Sequence, residues 1–136
     1  MTRLVRRVRL VALTGVAVVL GALGCKNVSP EEAALLAAKG YYTHLASGEY
    51  QQFLEGKAGS DSLPDDYREQ LLVAYAQFSE RQQREHGGIC EVRANTASTD
   101  SLLHCINAFL LLCYGDSTEE EIVVPMVELE GRWRMK

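Results

Sequence analysis

The chain has 136 residues, with 14 Lys and Arg against 18 Asp and Glu. Four of the basic residues (Arg3, Arg6, Arg7, Arg9) fall within the first 24 positions and every acidic residue follows position 25, so the remaining 112 residues carry 10 basic and 18 acidic groups, a net charge near −8. That balance excludes a domain binding nucleic acid or anionic lipid by electrostatics, because both require a basic surface, and the length allows one domain with a single modest core.

The four arginines form a basic start, followed by 15 uncharged residues from Leu10 to Gly24. A bilayer-spanning helix needs about 20 apolar residues, so the run is short for an uncleaved membrane anchor and suits a secretory signal at positions 1–24. Ala22-Leu23-Gly24-Cys25 resembles the bacterial lipobox, with Ala22 and Leu23 where the usual pattern has Leu and a small residue. The resemblance implies that Cys25 takes a diacylglycerol and becomes the mature N-terminus. Lys26, standing where an inner-membrane lipoprotein of a two-membrane bacterium would have Asp, implies sorting to the outer membrane. Two or three acyl chains give stable anchoring where one is marginal. Residues 25–29 are then a lipidated tether, and membrane contact through the lipid on Cys25 is expected.

Ser29-Pro30-Glu31-Glu32 reads as a helix start, with Ser29 as cap, Pro30 in the first turn and Glu32 completing a capping box. Apolar Leu35, Ala38, Tyr42 and Leu45 follow at steps of three and four. Gly40 costs about 1 kcal/mol against Ala inside such a helix, which suggests close packing there. Ser47-Gly48 ends it, a short helical piece from Glu49 to Leu54 follows, and residues 56–63 form a loop. Pro64-Asp65-Asp66 opens a long helix with acids at its positive end. Tyr67, Leu71, Ala74, Tyr75 and Phe78 make its apolar stripe. Its polar tail, Ser79 to His86, is expected to project into water before Gly87-Gly88 stops it.

Beyond Gly88 the period becomes two. Ile89 to Ala94 sets Glu91 and Arg93 on one face, with Cys90, Val92 and Ala94 on the other. Residues 96–101 read as a turn, Leu102 to Tyr114 as a long strand, Tyr114-Gly115-Asp116-Ser117 as the next turn, and Glu119 to Leu129 as a third strand. Glu130-Gly131 turns into a last strand carrying Trp133 and Met135. Three hairpins in succession make an antiparallel meander, and helices before strands make an α+β layout: N-terminal helices packed on a curved antiparallel four-stranded sheet.

Several stretches together support a family comparison. They are the capped first helix ending in Tyr41 to Tyr50, the long helix ending in Gly87-Gly88-Ile89, the Tyr114-Gly115-Asp116 hairpin, and the closing Gly131-Arg132-Trp133-Arg134. Residues 30–136 resemble the small bacterial lipoprotein domains of unknown function in the cystatin-like, nuclear-transport-factor-2-like superfamily. The resemblance implies a single cone-shaped domain in which a bent sheet wraps a long helix. Relatives of that kind include isomerases, dehydratases and non-catalytic binding or dimerisation modules, so fold does not give function.

No convincing catalytic set is visible, and the domain is expected to be non-catalytic. His44, beside Tyr41 and Tyr42, is the best candidate base, for an isomerase or hydratase, but a boundary histidine bonded to a nearby polar group is the simpler reading. His86 at a helix C-terminus is explained by the dipole, and His104 is expected at an exposed strand start. The His and Cys residues show no metal-ligand spacing, so no metal and no cofactor is implied. Cys90, Cys105 and Cys113 are expected as free thiols, since Cys105 and Cys113 sit roughly 27 Å apart along one strand and Cys90 points away from Cys113. Glu119-Glu120-Glu121 alternate in direction and cannot converge on an ion.

One feature departs from expectation for a half-wet sheet. Leu102 to Tyr114 is apolar on both faces, with Phe109, Leu111 and Cys113 opposite Ile106, Ala108, Leu110 and Leu112; Val123 and Val127 share the parity of the former set. Such a patch marks an interface, with a strand bend that turns the residues inward as the alternative. The preferred reading is therefore a membrane-anchored envelope domain that binds a protein partner, or a second copy, through Phe109, Leu111, Val123 and Val127. A small-ligand pocket between long helix and sheet, lined by Tyr42, His44, Tyr75 and Trp133, is the second reading.

Overall fold

A computed structural model describes residues 27–136; the expected signal peptide and Cys25 lie outside the described residues. Three helices precede four strands: α1 (Pro30–Ala46), α2 (Tyr50–Glu55), α3 (Asp65–His86), then β1 (Ile89–Asp100), β2 (Cys105–Tyr114), β3 (Glu119–Leu129) and β4 (Arg132–Met135). The strands pair in chain order as an antiparallel meander, the α+β arrangement expected from the sequence. Among the described residues no helix is long and apolar enough to cross a membrane.

Ser29 caps α1, its Oγ accepting the Glu32 amide at 3.1 Å, while the Glu32 side chain stays exposed instead of closing a capping box. Ala34, Ala38 and Leu45 are buried against the inner face of the sheet, where Val92, Leu110 and Met126 meet them. Two alanines one turn apart let the helix backbone sit low on the sheet. Gly40 plays no part in this approach: it is exposed, and a methyl group there would meet nothing within 4 Å. The loop at 56–63 is tighter than its composition suggests. Ser60–Ser62 forms a 3₁₀ turn, and the segment hydrogen-bonds to β4 through Met135 N–H to the Gly56 carbonyl and Ala58 N–H to the Met135 carbonyl, both 2.7 Å.

Two strand boundaries differ from the sequence expectation. β1 runs on to Asp100 in place of a turn at 96–101, and β2 begins at Cys105, not Leu102. The cause is a bulge. The ladder skips Asn95, so Ala94 and Ala97, three positions apart, pair with Leu110 and Ala108 on the inner face. A bulge breaks the period of two, and the polar run that follows then reads as loop. The true turn is Ser101 to His104, where the Asp100 carboxylate accepts the Leu102 and Leu103 amides at 3.0 Å each and His104 takes a φ of 51°. A second irregularity leaves Cys90 out of register and exposed, so it does not share the buried face of Val92.

α3 lies more lightly on the fold than its length suggests, and none of its residues is fully buried. The stripe is shifted: Tyr67 and Ala74 are exposed, and Leu72 and Ala76 join Leu71, Tyr75 and Phe78 on the half-buried side. Its polar tail is mostly exposed, as expected, but its end is held. Gly87, with φ 77°, turns the chain, the His86 carbonyl accepts the Asp116 amide at 2.8 Å, and the Gly88 carbonyl accepts the Gly115 amide at 2.9 Å. The end of α3 is thereby fastened to the β2–β3 turn.

Candidate functional site

The outer face of the sheet is set by register. Phe109 pairs with Val123, Leu111 with Glu121, and Asn107 with Pro125, so Phe109, Leu111, Val123, Pro125 and Val127 share the side away from α1. Paired strand residues point to the same face, and alternate residues continue it. Phe109 and Leu111 are half-buried and Val123 is 51% exposed. The structure thus brings the four apolar residues singled out in the sequence onto one face, opposite the one α1 covers. No bend turns Phe109 or Leu111 into the core.

That face is charged at one end. Glu91, Cys113 and Glu119 lie in line across β1, β2 and β3. Arg93 bridges the two acids, 3.3 Å to Glu91 and 3.6 Å to Glu119. Cys113 is buried between these long side chains. The bulged Asn95 donates to the Glu121 carboxylate at 2.9 Å. Three carboxylates against one guanidinium leave this end acidic. The side chains are mostly exposed, so solvent screens the pairs and they add little to stability.

The four residues expected to line a pocket are dispersed. Tyr42 and Tyr75 flank Phe53 in edge-to-face contacts, with ring centroids 5.2 and 4.9 Å apart. Burial raises both phenol pKa values above the ordinary range, with help at Tyr75 from Tyr67 and Tyr42. The Tyr75 hydroxyl is enclosed without a hydrogen-bond partner among the described residues. His44 sits on the surface at the end of α1, its Nδ1 3.3 Å from Glu49 Oε1. Trp133 lies at the sheet edge, in an open depression of about 520 Å³ that also meets Asp100, His104, Cys105 and Met126. Its carbonyl accepts the Tyr41 hydroxyl at 2.6 Å, which ties β4 to α1.

His44 has a carboxylate neighbour, as a general base would need, but both partners are about half exposed and the pair spans a single helix end. Water competes at both atoms, so the arrangement does not hold a proton at a fixed place. The depression below it, about 380 Å³, contains Arg68, Arg132 and Arg134 together with Glu55 and Asp61. Arg68 donates to the Ser60 carbonyl at 2.6 Å and Arg134 to that of Glu55, so two guanidiniums serve the backbone of the α2 loop.

The thiols of Cys90, Cys105 and Cys113 are free, and none is hydrogen-bonded to a histidine. Cys105 Sγ lies 3.8 Å from Asn107 Oδ1, Cys113 Sγ 4.0 Å from Glu119 Oε1, and Cys90 Sγ 3.9 Å from the Gly88 carbonyl. Among the described residues no Ser or Cys side chain is hydrogen-bonded to a His ring, and no group of three His, Cys, Asp or Glu side chains could hold a metal ion.

The comparisons bear on architecture. The "Putative NTF2-like transpeptidase" of Campylobacter jejuni superposes with a TM-score of 0.57 over 72% of this chain and 92% of its own, at 13% identity. The fold is NTF2-like. At that identity the likeness extends to the fold alone. No family model matches the sequence, and no curated protein matches it.

Sequence reasoning missed the contacts at the far end of α3. His86 Nδ1 lies 2.9 Å from Asp116 Oδ2, and its ring packs on Tyr114 at 5.0 Å. The Tyr114 hydroxyl donates to Glu120 at 2.7 Å; burial and that carboxylate push its pKa well up. Nothing in the local sequence pairs positions 30 apart. The adjacent glycines, 87-88 and 115, were the signal that two backbones meet there.

Proposed function

We propose that this is a lipid-anchored envelope protein whose NTF2-like domain is a non-catalytic binding module, and that the outer face of its sheet holds a partner protein. The observation that carries the reading is the row Phe109, Leu111, Val123, Pro125 and Val127, apolar and at least partly exposed on a face where solvent-facing strands are ordinarily polar. The acidic end of the same face, Glu91, Glu119 and Glu121, calls for a partner with an apolar centre and cationic residues at one rim. The lipid anchor rests on the run from Leu10 to Cys25 and outer-membrane sorting on Lys26.

Transpeptidase chemistry, the activity in the name of the Campylobacter jejuni protein, gains little support from the thiols present: Cys113 touches the Glu119 carboxylate at 4.0 Å, but it is buried and that carboxylate is paired with Arg93, while Cys90 and Cys105 contact no side-chain base. A small-ligand role draws on the depression at Trp133, but two of the aromatic residues that would line it are used in the Phe53 stack.

The test is site-specific photocrosslinking in the producing cell, with a benzophenone amino acid at Val123 and, as control, at Val73, which is 56% exposed on α3. A discrete adduct from Val123 that is absent from Val73 is expected, and reversing Glu119 and Glu121 to Lys should weaken it. Equal labelling from both positions, or none from Val123, refutes the reading. An adduct of twice the chain mass makes the partner a second copy.

A further inference from the structure

Leu102 and Leu103 are the most exposed large apolar side chains among the described residues, at 89% and 60%. They are not part of a loose loop. The Asp100 carboxylate holds both their amides, Lys136 Nζ donates to the Leu103 carbonyl at 3.2 Å, and His104 at φ 51° closes the turn. A fixed turn therefore presents two adjacent leucines to solvent, where each costs apolar hydration with no return.

The position of this tip is telling. Thr99 Oγ1 donates to Glu31 Oε1 at 2.6 Å, a bond that also lowers the Glu31 pKa and ties the end of β1 to the first turn of α1. Leu102 lies three residues beyond Thr99, at most about 10 Å of chain, and Cys25 lies six residues before Glu31, at most about 20 Å. Val28, between Cys25 and α1, is 48% exposed. The opposite end of the β1–β2 hairpin is a full strand away, roughly 33 Å over ten residues. The tip and the start of α1 thus share one end of the molecule, and the chain length from Glu31 keeps Cys25 within about 20 Å of it.

We propose that the Leu102-Leu103 tip inserts into the membrane that holds Cys25, as a second, protein-borne contact that fixes the domain's orientation. This rests on the lipidation of Cys25 proposed above. The contact is apolar in kind: Glu31 and Asp100 outweigh Lys136 at this end, so an anionic surface would not attract it and the contact should be insensitive to salt.

The test uses the full chain purified from bacteria and reconstituted into phosphatidylcholine vesicles containing a lipid with a spin label on its acyl chain. An environment-sensitive thiol probe is placed at the tip by Ser101→Cys in a Cys90→Ser background. The native exposed Cys90, at the far end of the hairpin, serves as control. Loss of most of the tip probe's emission is expected, with none at Cys90, unchanged in high salt. Adding Leu102→Ser and Leu103→Ser should abolish the quenching while the protein stays vesicle-bound. Equal emission loss at the two sites, or no loss at the tip of a chain whose mass shows the diacylglycerol, overturns the insertion and leaves the anchor standing. A chain whose mass shows no lipid overturns both.

Discussion

Gly115→Ala tests the junction that closes the fold. A methyl group on Gly115 would lie 2.6 Å from the Gly87 carbonyl oxygen and 3.1 Å from its carbon, both backbone atoms that cannot rotate aside. The end of α3 must then part from the β2–β3 turn. Two backbone hydrogen bonds cross this seam, Gly115 N–H to Gly88 and Asp116 N–H to His86, at 2.9 and 2.8 Å. Their net worth is roughly 1 kcal/mol each, and forcing a methyl into a filled space adds about 1–2 kcal/mol of strain. A destabilisation of about 2–4 kcal/mol is expected, a large part of the 5–15 kcal/mol typical of a domain. Urea unfolding of residues 26–136 should show it as a midpoint lower by roughly 1–2 M with an unchanged slope. Gly40→Ala is the control, since its methyl meets nothing and Ala is the better helix former; it should stabilise by up to about 1 kcal/mol. A Gly115→Ala midpoint within 0.2 M of wild type, in the same experiment, would refute the close approach, as roughly 0.5 kcal/mol is the most such a shift represents.

The enclosed Tyr75 hydroxyl has no partner, so Tyr75→Phe should be neutral or stabilise by about 1 kcal/mol in the same assay; clear destabilisation would mean that the hydroxyl is satisfied and the inner aromatic region holds water or a ligand. Asp116 is held at a pKa of about 2, by the Thr118 hydroxyl first and then by His86 and the Thr118 amide. A depressed carboxylate contributes stability above its unfolded pKa near 4, and the contribution disappears as pH falls through about 2. The melting temperatures of wild type and Asp116→Asn should therefore differ at about pH 5 and converge toward pH 2. A gap that persists at pH 2 would place the effect elsewhere.

The elements were legible where local chemistry and period agree. Ser29-Pro30 sets the start of α1, Gly87 ends α3, and the alternation of β3 fixes its bounds at Glu119 and Leu129. They were illegible where one residue of backbone irregularity reverses the phase: Asn95 hid half of β1, and with it the true tip at Ser101 to His104. The two-sided apolar character of β2 was visible, because it is a property of composition along a strand. Which aromatic residues meet was not, because contacts such as Tyr42 with Phe53 and Phe53 with Tyr75 depend on how α2 folds back between α1 and α3, and no periodicity encodes that.

Orientation also bears on what the sheet can bind. With the anchor as proposed, the strands run away from the membrane, and the acidic end formed by Glu91, Glu119 and Glu121 lies farthest from it. A face-to-face homodimer has its two-fold axis in the plane of the interface. An axis along the strands keeps both anchors in one membrane but sets the two acidic ends side by side, in molecules that already carry a net charge near −8 after Cys25. An axis across the strands separates the acidic ends but sends the two anchors in opposite directions. A second copy therefore meets either like charge or the wrong membrane, and neither obstacle faces a different protein with a cationic rim. The crosslinked mass at Val123 decides this directly: an adduct unequal to twice the chain mass follows from the anchoring geometry, and one of twice that mass would mean that the acidic ends are offset or the tether does not orient the domain.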